Sequence, residues 1–177
     1  MVEVMVTIVI LAIGLLGLAG LQSRLQASEM EAYQRAQALI LLNDMASRIS
    51  ANRANAASYA VAAPTTSPLG VGANCAAAGT STQQIDAGEW CEALQGAAES
   101  SGTAQVGAMV GGRGCVEAVT GTAGEYRITV AWQGLTPVAG PASTCATGLY
   151  TGAAGSACTG DLCRRTVTTI VRIGNLT

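Results

Sequence analysis

The chain has 177 residues, half of them apolar, with nine Arg set against eleven acidic residues for a formal charge of −2. It contains neither His nor Lys, which removes Ser-His and Cys-His nucleophilic pairs, Schiff-base lysines and Walker-type phosphate loops. The charge gives no electrostatic case for nucleic-acid binding, and the length allows one domain plus a membrane segment.

Residues 4–23 carry no charge, and a single carboxylate, Glu3, stands just before them. Twenty helical residues span about 30 Å, the thickness of a bilayer's hydrocarbon core. A secretory signal would open on positive charge and close on a small-residue cleavage site. This stretch opens on negative charge and runs on into a further helical pattern. Gly14, Gly17 and Gly20 recur at three-residue spacing within it. Such glycines permit close helix contact, and they are also simply common in membrane helices. Glu3 itself suits a helix N-terminus through the macrodipole.

Beyond Arg24 the pattern becomes amphipathic. Apolar or small residues recur at Leu18, Leu21, Leu25, Ser28, Ala32, Ala36, Leu39, Leu42, Ala46 and Ile49, between flanks carrying Arg24, Glu29, Glu31, Arg35, Asp44, Arg48 and Arg53. The spacing predicts one helix of roughly 50 residues, about 75 Å long. Its apolar stripe requires a sheet to cover it. Asn52-Arg53-Ala54-Asn55 marks the expected end. The predicted division is 1–23 as the apolar half, 24–57 as the amphipathic half and 58–177 as a globular head.

Residues 61–85, rich in Ala, Gly, Ser and Thr, read as a surface loop carrying Cys75. Asp86-Ala87-Gly88-Glu89 has capping-box form and predicts a short helix over 86–96 in which Trp90 is a packing residue. Residues 97–108 are again small and polar. Gly111-Gly112-Arg113-Gly114 reads as a turn rather than an anion cradle, because no helix follows. Strands are expected near 115–120, 125–133 and 165–173, with 121–124 closing a hairpin between the first two. In the second, Tyr126, Ile128, Val130 and Trp132 alternate with Arg127, Thr129, Ala131 and Gln133, and the first set should cover the helix stripe from Leu25 to Ile49. In the third, Val167, Thr169, Val171 and Ile173 share a face.

Cys75, Cys91, Cys115, Cys145, Cys158 and Cys163 all lie beyond the long helix. An even count there predicts three disulfides and an oxidising compartment. Sequence does not choose among the pairings; Cys158–Cys163 would close a small loop, and Cys91–Cys115 would tie the short helix to the first strand. The irregular stretch 134–163 needs such staples. Without His or a C-x-x-C pair a zinc site is a poor reading, and no calcium-loop run is present. Glu89 with Glu92, and Glu29 with Glu31, read as solvated helix faces rather than acid/base pairs. The expectation is a non-enzyme with no catalytic residues, no cofactor, no metal and no small-molecule substrate.

The string from Met1-Val2-Glu3-Val4-Met5 through Ile13-Gly14-Leu15-Leu16-Gly17 resembles the N-terminal segment of type IV pilins, and of PilV-type minor pilins in particular. The likeness continues in Tyr33-Gln34-Arg35-Ala36-Gln37-Ala38-Leu39, in Asn43-Asp44-Met45-Ala46-Ser47-Arg48-Ile49, in Asn52-Arg53 and in Gly112-Arg113-Gly114-Cys115-Val116. It returns in Tyr126-Arg127-Ile128-Thr129-Val130-Ala131-Trp132-Gln133-Gly134 and in Arg164-Arg165-Thr166-Val167. The N-terminal motif is specific to the pilin and pseudopilin class, and the later blocks point to the PilV type.

That resemblance implies an α+β pilin fold, a long N-terminal helix packed on a small antiparallel sheet with disulfide-stapled loops. In the family a basic leader ending in Gly is removed and the new N-terminus is methylated. Against that pattern this string would begin just inside the mature protein. Glu3 matches the family's glutamate, which implies an assembly role opposite a neighbour's N-terminal amine. The implied partners are other minor pilins and the major pilin, in a priming or tip complex serving pilus biogenesis, twitching motility and adhesion. The implied location is the bacterial inner membrane, with the head in the periplasm, and then the cell-surface pilus. The alternatives are a minor pseudopilin of a type II secretion system and a membrane-anchored adhesin binding through 134–163.

Overall fold

Leu, Ala, Met and Ile at three- and four-residue spacing, with no Pro, build the first helix, α1, over Val2–Ala51. The computed structural model describes residues 1–60, 64–75, 79–97, 100–101, 104–105, 107 and 109–174. These fall into two units, Met1–Tyr33 and Gln34–Thr177, and each is taken by itself.

The first unit is α1 up to Tyr33, uncharged from Val4 to Ser23 and with the acid of its first turn at Glu3. The second begins inside α1, where Gln34, Ala38, Leu42, Met45 and Ile49 are buried. This face is rotated from the expected stripe: Leu39 is 42% exposed and Met45 only 1%. The run Leu39-Ile40-Leu41-Leu42 offers two helical phases, and packing selects the one through Ala38 and Met45. Both amide atoms of buried Gln34 lack a hydrogen-bond partner among the described residues. After Ala51 the chain tightens into a 3-10 turn over Arg53–Tyr59.

The remaining elements are β1 (Leu69–Gly70), α2 (Thr82–Leu94), β2 (Ser100–Ser101), β3 (Ala104–Gln105), β4 (Arg113–Ala118), β5 (Glu125–Gln133), a 3-10 turn over Thr159–Asp161 and β6 (Arg164–Arg172). The main sheet is antiparallel in the order β1-β4-β5-β6, and β2 and β3 pair separately. The expected β4–β5 hairpin is present, with Val116 opposite Ile128 and Glu117 opposite Arg127. β4 starts two residues earlier than predicted, so Arg113 and Gly114 belong to a strand and not to the turn. β1, within the stretch read as loop, pairs Leu69 with Gly114 and Gly70 with Arg113. The rest of the loop expectation for 61–85 touches 61–63 and 76–78, and that for 97–108 touches 98, 99, 102, 103, 106 and 108; these lie outside the described residues.

The Tyr126, Ile128, Val130 and Trp132 face of β5 packs with Ala38, Leu42, Met45 and Ile49, as the alternation predicts, over the C-terminal part of the stripe. Val167, Val171 and Ile173 pack against the same core. On the opposite face, Thr129 and Ala131 are buried as well. The irregular stretch after β5 folds back there and forms a second, small cluster of Cys115, Ala131, Cys145, Ala146 and Tyr150. The sheet is therefore covered on both faces at its centre.

Helix α2 corrects a sequence expectation. It begins four residues before Asp86, capped by Ser81, whose hydroxyl accepts from the Gln84 N–H in a complete capping box. Asp86 is an interior residue of the helix. Trp90 and Leu94 enter the main core, Trp90 being fully buried with its indole N–H donating to the Leu41 carbonyl at 2.8 Å.

Three disulfides close the second unit: Cys75–Cys91, Cys115–Cys145 and Cys158–Cys163. The expected Cys158–Cys163 link is present. The expected Cys91–Cys115 link is not, because β1 and its flanking loop place Cys75 against α2, while Cys115 points to the outer sheet face beneath Cys145.

Candidate functional site

Two regions concentrate chemistry, one in each unit. In the first unit α1 has the length and apolar composition to cross a membrane. Glu3 is exposed in its first turn. The side chains that follow are bare, Leu11 at 65% and Leu16 at 74% exposure among them. Gly14, Gly17 and Gly20 have nothing within 4 Å of where a Cβ would stand. An exposed apolar surface of this length is costly in water and suits contact with lipid or with other apolar helices. Thr7 satisfies its hydroxyl internally by donating to the Val4 carbonyl at 2.9 Å.

In the second unit three arginines organise the polar contacts. Arg48 ties α1 to α2. Its Nε reaches Asp44 at 2.9 Å, and its Nη1 reaches Asp86 at 3.0 Å and Glu89 at 2.7 Å. Burial alone would lower its pKa, but the carboxylates of Glu89, Asp44 and Asp86 outweigh that and hold it above its usual value. Asp86 also accepts from the Tyr59 hydroxyl, which accepts in turn from Asn52 Nδ2 at 3.1 Å. Burial, then donation to Asp86, pushes the Tyr59 phenol up. Glu89 thus has a structural partner across two helices.

Arg164, 4% exposed at the start of β6, holds the irregular stretch together. Its Nη1 donates to the carbonyls of Ser143 at 2.7 Å and Cys145 at 3.0 Å, and its Nη2 to that of Pro141 at 3.2 Å. Its Nε lies 3.2 Å from Asp161. Asp161, buried with φ of 63°, accepts from the N–H groups of Gly148 at 2.5 Å and Tyr150 at 3.1 Å. A single buried ion pair therefore satisfies five backbone groups of a segment with no regular ladder of its own.

Arg113 is different. Its Cζ lies 4.9 Å from the centre of the Tyr150 ring, a cation–π contact. Its Nη1 makes one long bond, 3.4 Å, to the Gly111 carbonyl. Tyr150 donates to that same carbonyl at 2.7 Å, and burial, only partly offset by Arg113, pushes its phenol up to about 12. The sequence places Arg113 in a turn and in one block of the PilV resemblance and Arg164 in another, and assigns neither of them, nor Tyr59, Tyr150 or Asp161, a role in a site. The spacing of Asp161 and Arg164 was the one local signal available; the other contacts join residues far apart in the chain.

The six cysteines form cystines and hold the head rather than a metal. Among the described residues no three His, Cys, Asp or Glu side chains gather as a metal site. Comparison of the chain with known protein families, with curated proteins and with solved structures finds no match in any of the three.

Proposed function

We propose that this chain is a minor pilin of PilV type, which assembles through its apolar helix with other minor pilins and the major pilin. The observation that carries the reading is an acid in the first turn of a long apolar helix whose side chains are exposed from Val4 to Leu21. A lone membrane anchor accounts for the apolar length and leaves Glu3 only the helix dipole as a partner. A carboxylate among packed apolar helices is costly unless a cation neutralises it. A neighbouring subunit's N-terminal amine supplies that cation in the pilin arrangement. An α+β head whose sheet packs on the same helix, closed by three disulfides suited to an oxidising compartment, supports the reading.

The test is recovery of the protein in sheared surface filaments of cells producing it. The wild type is expected in the filament fraction. Glu3→Ala is expected to stay in the membrane and to fall at least tenfold in filaments. Equal recovery of the two would overturn the assembly role of Glu3. Finding the wild type only with a secretion apparatus would replace the pilin reading by the pseudopilin one.

A further inference from the structure

Arg113 opens onto a cleft of about 350 Å³ that is also bounded by Thr66, Ser67, Pro68, Val71 and Leu149. This is the lower end of the size range for small-molecule pockets. The described residues lining it include no carboxylate. The cation at its wall is under-satisfied. Arg48 and Arg164 each face acids within 3.2 Å, whereas Arg113 has no acidic partner among the described residues. Its Nε is buried and has no hydrogen-bond partner among the described residues, and its Nη1 contact to the Gly111 carbonyl is long, at 3.4 Å. Desolvating a guanidinium without a counter-charge is unfavourable, and an anion in the cleft removes that cost.

The walls specify the anion further. There is one cation, flanked by neutral hydroxyls, so a single negative charge is matched and a doubly charged phosphate is not. Val71 and Leu149 are 36% and 42% exposed and border the same cleft, beside buried Pro68. The position is fixed: Arg113 is held in β4 opposite Gly70 of β1, and its guanidinium lies on the buried Tyr150 ring. We propose that this cleft binds a small aliphatic carboxylate, with the anion on the Nη end of Arg113 and the hydrocarbon against Val71 and Leu149. Its source is either a free branched acid or the terminal residue of a peptide; the carboxylate next to a branched alkyl group is common to both. The site is independent of helix-mediated assembly.

The experiment is calorimetric titration of the full chain in detergent micelles, against empty micelles, with 3-methylbutanoate and with N-acetyl-L-leucine. Saturable one-to-one binding of either acid is expected, and the tighter of the two identifies the source. The neutral 3-methylbutanamide and inorganic phosphate are each expected to bind at least tenfold more weakly. Arg113→Gln is expected to lower affinity at least tenfold. Leu149→Glu, at an exposed rim position that leaves the core intact, places a rival carboxylate beside the guanidinium and is expected to do the same. It carries the test should Arg113→Gln not fold. Equal binding of the amide, equal binding of phosphate, no binding of either acid, or undiminished affinity in folded Leu149→Glu would overturn the proposal.

Discussion

Trp90 lies directly on Gly114: a Cβ at position 114 would collide with Cη2 and Cζ3 of the indole and crowd Leu94 Cδ1. The strand needs glycine there so that α2 can approach β4 closely. Because Trp90 also bonds the Leu41 carbonyl, this one ring joins α2, α1 and the sheet. Gly114→Ala is expected to destabilise the head by about 1–3 kcal/mol through overpacking. The clash should be relieved in the double variant with Trp90→Leu, which removes the obstructing atoms. Chemical denaturation of the four proteins of the cycle would show a coupling of at least about 1 kcal/mol; strictly additive losses would refute the close approach as the reason for glycine.

Arg48 carries the second testable contact. Its side chain, 24% exposed, faces Asp44, Asp86 and Glu89 together. Exposed pairs contribute about 0–1 kcal/mol and buried ones cost about 3–5 when broken, so Arg48→Met is expected to cost about 2 kcal/mol at pH 7. Without the cation the three acids repel one another, and the loss should shrink in high salt, which screens that repulsion. A loss independent of salt would mean that the stem of Arg48 packs and its charge does nothing.

These two contacts differ in how far the sequence displays them. The inner face of β5 is written in plain alternation, and Tyr126, Ile128, Val130 and Trp132 do meet α1. The start of α2 is not decidable locally, since Ser81 with Gln84 and Asp86 with Glu89 both have capping-box spacing. The first is used because the Asp86 carboxylate is taken by Arg48 and Tyr59, a tertiary demand that no window of sequence contains. The same holds for Cys91, whose partner is fixed by where β1 docks. Thr129 and Ala131, on the face of β5 away from α1, are covered by a segment with no pattern of its own. Among the chemistry-bearing residues, Glu3 and the cysteines stand out from composition alone, whereas the Arg113 cleft exists only once β1, β4 and the Leu149 loop come together.

Tyr150 makes stability depend on alkaline pH. Its phenol is raised to about 12 in the folded chain from 10.0, chiefly by burial. Between those values the unfolded chain has released the proton and the folded chain still holds it, so stability falls as pH rises. The contribution is fully present below pH 10 and is lost towards pH 12, on the order of 2–3 kcal/mol in all. Tyr59 is raised too and adds a loss of the same sign. Tyr150→Phe is expected to flatten most of this slope, while costing about 1 kcal/mol at neutral pH for the bond to Gly111. Denaturant midpoints measured from pH 8 to 12 check both; an unchanged alkaline slope in the variant would place the titration elsewhere.

The three disulfides should differ in what they contribute, in the order of the chain each one closes. Cys115–Cys145 spans 30 residues, Cys75–Cys91 spans 16 and Cys158–Cys163 spans 5. Restricting the unfolded chain over these lengths contributes about 3.6, about 3 and about 2 kcal/mol respectively. The longest link also has both sulfurs buried in the small cluster with Ala131 and Tyr150, so its removal opens a cavity as well. It anchors the irregular segment against the sheet from one side, and Arg164 gathers the carbonyls of Ser143 and Cys145 from the other. Paired Cys→Ala variants are therefore expected to lose stability most at 115 and 145 and least at 158 and 163. The ranking is read from urea midpoints of the full chain in micelles under non-reducing conditions. If the 158/163 variant proved the least stable, the short link would be clamping a strained or packed segment, and chain entropy would not be the governing contribution.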